Sequence, residues 1–158
     1  MTAEAIITAI LAIYPHMSHN NRQCIEQRRV RIEAQLDEAF VRYTDIPREV
    51  LASVAFAETH LGCDAGEGGN WGAPISPRAR HTAGTHMHAV QALHRGMGVC
   101  HTLDGAIQRF RVGFCTPRRQ TSRREVWARA ESYLARVNAL ATRIRARAVT
   151  PPGDDLTP

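Results

Sequence analysis

Residues 46–77, IPREVLASVAFAETHLGCDAGEGGNWGAPISP, constrain the fold of this chain more than any other segment. The first half has the period of a helix, because its apolar residues recur every three or four positions on one face. Pro47 is typical of a first helical turn, with Asp45 before it as the predicted cap, and Gly62 is predicted to end the helix. The second half is rich in glycine and has no period, so a long loop should follow the helix. The apolar face consists of Val50, Val54 and Leu61.

One carboxylate, Glu58, lies on this apolar face near the end of the helix. It follows Val54 by four residues and precedes Leu61 by three. Apolar neighbours and the negative end of the helix dipole both disfavour the ionised form of such a side chain. The sequence therefore predicts a carboxylic acid able to donate a proton, as a general acid must. The alternative is a half-buried glutamate that pairs with one of the many arginines.

The whole chain predicts one mainly α domain. Its 158 residues are enough for a single core, with no internal repeat and almost no strand pattern. We expect the domain to span residues 1–147 and the tail, residues 148–158, to be disordered. Helical period predicts about six helices, at roughly residues 2–14, 22–43, 47–61, 85–96, 100–112 and 123–147.

The chain is basic, and it contains arginine but no lysine. All 20 basic residues are Arg, and the net charge is +5. This favours approach to an anionic polymer, either cell-wall material or nucleic acid, although solvated helix faces explain it equally well. Few aromatic residues are interleaved with the arginines, which disfavours nucleic acid. No apolar run has membrane-spanning length, and the acidic start predicts an amphipathic helix rather than a signal peptide.

Four short motifs occur in an order that resembles the lysozyme-like family of soluble lytic transglycosylases and goose-type lysozymes. AETHLG at 57–62 matches the family's helix end, where a glutamate followed by Ser or Thr is the catalytic acid. GAPISPRAR at 72–80 resembles a shortened Gly-x-x-Gln-Ile-x-Pro-x-Thr-Ala segment without its Gln. FRVG at 110–113 occurs where the family has Tyr-Asn-x-Gly, and YLARV at 133–137 resembles the Tyr-Val-x-x-Val of the family's last helix. The similarity covers about residues 40–142.

The resemblance implies a lysozyme-like helical domain with Glu58 as the catalytic residue. The glycine-rich loop, or a small hairpin within it, would then form a wall of the substrate groove. Trp71 either stacks on a sugar ring there or packs into the core. Asp64 and Glu67 are candidates for positioning a water molecule. The implied substrate-binding residues are Thr59, Asn70, Trp71, Ile75, Phe110, Arg111 and Tyr133.

The implied reaction is cleavage of the β-1,4 bond between N-acetylmuramic acid and N-acetylglucosamine in peptidoglycan, by a monomer without a cofactor. Hydrolysis would need a second carboxylate ~6.5–9.5 Å away. The favoured route is transglycosylation, in which the muramoyl 6-hydroxyl attacks after Glu58 switches to a base.

Two other classes of function stay open. A catalytically inactive lysozyme-like binding or structural protein is favoured by the missing Gln and by Arg111 in place of Asn. A basic nucleic-acid-binding helical module is favoured only by the charge.

The cysteines allow two disulfides. Cys100 and Cys115 bracket the fifth helix and the FRVG turn, so a bridge would clamp the loop to the start of the helix, and some lysozyme-like proteins carry a similar pair. Cys24 and Cys63 are candidates for a second bridge. The alternative is four free thiols in a cytosolic protein. No metal site is predicted, because the histidines and cysteines lack metal-binding spacings. The histidines concerned are His81, His86, His88, His94 and His101.

The location follows from the expected substrate. Without a recognisable signal peptide, the chain should be made in the cytoplasm. Its substrate would lie in the periplasm or outside the cell. The sequence thus predicts an enzyme that reaches the wall in a phage or through a secretion system.

Overall fold

The computed structural model describes residues 1–64, 71, 86–115 and 124–149. These residues form seven helices and no strand, which confirms the mainly α prediction. None of these described helices is long and apolar enough to cross a bilayer. In chain order the helices are α1 (Ala3–Ile13), α2 (His19–Gln27), α3 (Arg29–Arg42), α4 (Arg48–Thr59), α5 (His86–Cys100), α6 (Leu103–Val112) and α7 (Arg124–Val149).

Helix α4 lies at the centre of the described structure. Residues 49–56 are all buried, so every side of the helix contacts a neighbour. It packs mainly against α7 and also touches α3 and α5, while α7 in turn contacts α1 and α6. The helix reaches the surface at its ends, where Arg48 and Ala57 are exposed. Glu58 thus lies at the end of the central helix, directly after the exposed Ala57.

The prediction of a single helix at residues 22–43 is wrong, because the structure has two helices there, α2 and α3. Helix α2 begins at His19, after Ser18 accepts a hydrogen bond from the backbone N–H of Asn21. The break comes at Arg28, whose side chain donates a hydrogen bond to the carbonyl oxygen of Gly62 at 3.2 Å. Apolar spacing does not reveal the break, since both helices bury their apolar residues on the same core.

Three other boundaries also differ from the prediction. Helix α5 continues four residues beyond 96, to Cys100. Helix α6 starts later than predicted, at Leu103, because Thr102 accepts a hydrogen bond from the N–H of Gly105 and caps it. Helix α7 includes residues 148 and 149, which the prediction gave to the tail. The rest of that tail, residues 150–158, lies outside the described residues.

Helix α4 begins without the predicted cap. Pro47 itself stands at the N-cap, and no side chain bonds the first turn. The Asp45 carboxylate instead bonds Nδ1 of His94 in α5, at 2.9 Å. Asp45 thus joins the start of α4 to α5 rather than capping α4.

All four cysteines are in disulfides. Cys100–Cys115 is confirmed, with a Cα–Cα distance of 5.2 Å, and joins the end of α5 to the segment after α6. Cys24–Cys63 forms the second bridge, with a Cα–Cα distance of 5.8 Å. It joins α2 to the turn that follows α4.

Candidate functional site

The end of α4 is an unusual turn. His60 is the C-cap, with φ of 47°, so the helix ends one residue earlier than the prediction of Gly62 as the C′ residue implies. Leu61 and Gly62 follow with φ of 61° and 81°, so three successive residues are left-handed. The Thr59 hydroxyl stabilises the turn by accepting a hydrogen bond from the N–H of Gly62 at 2.9 Å. Thr59 is 2% exposed, so it acts here in the turn, one residue after Glu58.

Glu58 is largely buried and faces an arginine. Its side chain is 11% exposed, and Nη1 of Arg111 lies 3.4 and 3.5 Å from its two carboxylate oxygens. Arg111 comes from the end of α6 and is itself 47% exposed. The contact is the arginine pair expected by the alternative interpretation of Glu58. The burial near the end of α4 is what the general-acid interpretation expects.

Tyr133 of α7 is the third member of this group. Its ring is 1% exposed, and the guanidinium carbon of Arg111 lies 5.5 Å from the ring centroid. Burial, and then the nearby Glu58 carboxylate, raise the pKa of Tyr133 well above its ordinary value of 10.0. The phenol is near enough to the Glu58 carboxylate for hydrogen bonding to it to raise this pKa further, but the hydroxyl makes no well-formed hydrogen bond with a described residue. A protonated phenol thus lies close to Glu58 and is able to donate to it.

The structure therefore brings together three of the predicted site residues. Glu58, Arg111 and Tyr133 come from α4, α6 and α7, and Arg111 lies 53 residues from Glu58 along the chain. Phe110 precedes Arg111 and turns to the core, where it is 9% exposed. One carboxylate thus lies where the AETHLG, FRVG and YLARV motifs meet.

The remaining predicted site residues lie elsewhere or outside the described part of the chain. Trp71 is 1% exposed, and its ring centroid lies 5.3 Å from that of His86. Asp64 is held by His60 Nδ1 at 2.7 Å and by the side-chain amide of Asn21 at 3.3 Å. The residues outside the described part are Glu67, Asn70 and Ile75.

Three histidines of the described residues, His60, His86 and His94, pair with carboxylates. His86 Nε2 contacts Glu38 at 3.0 Å, across 48 residues of sequence. Burial lowers the pKa of His86, and the hydrogen bond and charge of Glu38 only partly offset this. Within the described part of the chain, no group of three His, Cys, Asp or Glu side chains is arranged to hold a metal.

Sequence reasoning missed two features at the two ends of α4. The first is the buried Glu49, whose carboxylate accepts hydrogen bonds from Nε and Nη2 of Arg145. The second is a groove of about 350 Å³ between the ends of α1 and α4 and the middle of α7. The signal for this groove was a stripe on α7 in which Arg136 and Arg143 enclose Ala139 and Leu140, at helical spacing.

Comparisons with known proteins add no relative. No protein-family model, curated protein or solved structure matches the chain. The resemblance to lysozyme-like proteins therefore depends on the motifs and on where their residues lie, and it stays a prediction.

Proposed function

We propose that the chain cleaves the β-1,4 bond between N-acetylmuramic acid and N-acetylglucosamine in peptidoglycan, with Glu58 as the general acid. One observation carries the proposal: residues of three motifs, distant in sequence, meet at a single carboxylate of low exposure. Their meeting supports a common role.

In the proposed reaction Glu58 donates its proton to the leaving oxygen of N-acetylglucosamine while the C1–O bond breaks. Positive charge then develops on the muramoyl ring. The muramoyl 6-hydroxyl attacks C1 and gives its proton to the Glu58 carboxylate, which restores the acid and leaves a 1,6-anhydro end. Asp64 is occupied by His60 and Asn21, which favours this route over one that uses Asp64 to hold water.

Arg111 and Tyr133 have supporting roles in this scheme. After the proton leaves Glu58, the Arg111 guanidinium stabilises the carboxylate that is left behind. Because the contacts are long and Arg111 is half-exposed, the pair is weak, and substrate groups compete with Glu58 for the guanidinium. The unused hydroxyl of Tyr133 is a donor for a sugar oxygen or for Glu58.

The disulfides support a location in which peptidoglycan is accessible. Disulfides persist in oxidising compartments, such as the periplasm and the extracellular space, and are rare in the cytosol. Both bridges of this chain would be stable where the wall lies. This agrees with the proposed substrate.

The test is Glu58→Gln, measured by the clearing of a purified peptidoglycan suspension. The amide keeps the shape of the side chain but has no acidic proton, so cleavage should fall by about 10²–10⁴-fold. Glu49→Gln is the matched control, because it removes the other arginine-paired carboxylate of the same helix. It should leave the rate per folded molecule unchanged. A Glu58→Gln protein that cleaves at the wild-type rate would refute the proposal.

The Glu58–Arg111 pair favours a second candidate, a lysozyme-like protein that binds the wall without cleaving it. In that case the pair is purely structural, and Glu58→Gln destabilises the fold. Wild-type protein would sediment with insoluble peptidoglycan but release no soluble fragments. Fragment release by wild-type protein would exclude this candidate.

A further inference from the structure

The groove beside the end of α4 has walls of two kinds. Eight residues line it: Tyr14, Phe56, Ala57, His60, Arg136, Ala139, Leu140 and Arg143. Its volume of about 350 Å³ lies in the range of ~300–1,000 Å³ that is usual for small-molecule sites. Ala57, on its wall, directly precedes Glu58, so the groove adjoins the proposed catalytic residue.

One wall is an aromatic surface. The Tyr14 and Phe56 rings stack with centroids 4.9 Å apart and an angle of 24° between their planes. His60 meets Phe56 edge-on, at a centroid distance of 4.9 Å. These rings come from the ends of α1 and α4, and they form a rigid surface for a methyl group or a small ring.

The other wall carries two guanidinium groups without carboxylate partners among the described residues. Arg143 makes two contacts on this wall: Nη2 donates to the carbonyl oxygen of Ile13 at 3.3 Å, and the guanidinium carbon lies 5.6 Å from the Tyr14 ring centroid. The guanidinium carbon of Arg136 lies 5.9 Å from the Tyr133 ring centroid. Both arginines are exposed, so their guanidinium groups are accessible to an anion.

We propose that this groove binds a small carboxylate with an apolar body, such as the terminal D-alanine of a peptidoglycan stem peptide. The carboxylate lies between Arg136 and Arg143, which bind it by charge-assisted hydrogen bonds. The methyl group packs on the Tyr14–Phe56 surface. The choice of stem peptide rests on the proposed function, because the stem peptides on the muramoyl residues of that substrate end in such carboxylates.

The probe is N-acetyl-D-alanyl-D-alanine, and its C-terminal amide is the uncharged control. Binding is followed by the amide NMR signals of Ala57, His60 and residues 136–143. The acid should shift these signals, and its affinity should fall as salt is added, since screening weakens the charge contact. The amide should bind at least about tenfold more weakly, in keeping with the strength of charged hydrogen bonds.

Matched arginine variants test the site itself. Arg136→Gln and Arg143→Gln should each weaken binding of the acid by about tenfold or more. Arg129→Gln should not change it, because Arg129 lies on the same helix, is exposed and pairs with Glu125. Circular dichroism establishes that each variant is folded. Equal affinity for acid and amide, equal affinity in the Arg136 or Arg143 variants and wild type, or no shift at the groove would overturn the proposal.

The groove proposal and the catalytic proposal can each fail without the other. The probe contains no glycosidic bond, and binding at the groove does not need Glu58, so Glu58→Gln should bind it as wild type does. Probe binding with no peptidoglycan cleavage would refute the catalytic proposal and leave the site. Cleavage with no probe binding would refute the site alone.

Discussion

Two glutamates of α4 meet arginines in different ways. Glu49 lies in the first turn, where the helix dipole favours a carboxylate, and Nε of Arg145 contacts it at 2.9 Å. Glu58 lies in the last turn, where the dipole disfavours a carboxylate, and Arg111 approaches only to 3.4 Å. The first pair has the character of a structural contact, and the second leaves its carboxylate available for chemistry.

This difference predicts unequal costs of removing the two arginines. Arg145→Ala leaves the 7%-exposed Glu49 without its partner, and the free energy of unfolding should fall by about 1–2 kcal/mol. Arg111→Ala removes a longer contact and should cost less than about 1 kcal/mol, although Arg111 is 47% exposed and Arg145 is 63% exposed. Urea unfolding of both variants beside wild type gives the comparison. An equal or larger loss for Arg111→Ala would show that the Glu58 pair is structural.

His86 gives a pH dependence that one variant isolates. Burial holds its pKa below the ordinary value of 6.5, so the unfolded chain binds this proton more readily than the folded protein. Stability contributed by neutral His86 is therefore present above pH 6.5 and is lost as the pH falls toward the lower folded pKa. His86→Gln, which keeps a donor for Glu38, should show a shallower loss of melting temperature over this range. Parallel curves for the two proteins would contradict the prediction.

How far the sequence predicts the site is clearest at Glu58. Its place on the apolar face follows from helical spacing, which is local information. Its partner lies 53 residues away, and 20 arginines compete for that role, so spacing alone cannot select Arg111. The resemblance did place Arg111 and Tyr133 in the same site, because aligned motifs carry spatial information that a helical period lacks. It says nothing of the groove formed by Arg136 and Arg143.

At the scale of elements, helix existence was predictable and helix ends were not. Ile25 and Ile32 on either side of residue 28 are seven residues apart, as in one continuous helix, yet α2 and α3 meet there in a break that involves Gly62, far along the chain. Similarly, α6 starts where Thr102 can cap it, and the residue before that cap, His101, has φ of 59°. Tertiary contacts and caps decide these boundaries.

The packing of α5 against α6 predicts opposite effects of two glycine substitutions in α5. A Cβ at Gly96 would lie 3.1 Å from both Cα and Cβ of Ala106, so Gly96→Ala must push the helices apart. We expect a loss of about 1–3 kcal/mol. A Cβ at Gly98 meets nothing within 4 Å, and Gly98→Ala should gain up to about 1 kcal/mol from helix propensity. Thermal unfolding of the two variants decides, and a stabilised Gly96→Ala would mean that the helices pack less closely.

Across the whole molecule, each side of the Glu58–Arg111 pair is anchored by one disulfide. Cys24–Cys63 ties α2 to the left-handed turn that ends α4 beside Glu58, and Arg28 adds a hydrogen bond to that turn. Cys100–Cys115 closes a loop that contains all of α6, including Arg111. The bridges therefore hold the two halves of the candidate site as well as the fold.

Breaking each bridge should destabilise the protein by an amount that reflects the loop it closes. In the chain-entropy account, the bridge of separation 39 contributes about 4 kcal/mol and that of separation 15 about 3 kcal/mol. The paired variants Cys24→Ser with Cys63→Ser, and Cys100→Ser with Cys115→Ser, should both melt lower than wild type, the first by more.

A thiol assay on denatured, unreduced wild-type protein matured under oxidising conditions should find no free group, since all four cysteines are paired. One bridge holds the turn that follows Glu58 and the other encloses the helix of Arg111, so either variant should also lose peptidoglycan cleavage per folded molecule if the pair's geometry matters to the reaction. Four free thiols would refute both bridges. Unchanged melting temperatures would show that neither bridge stabilises the fold by restricting the conformations of the unfolded chain.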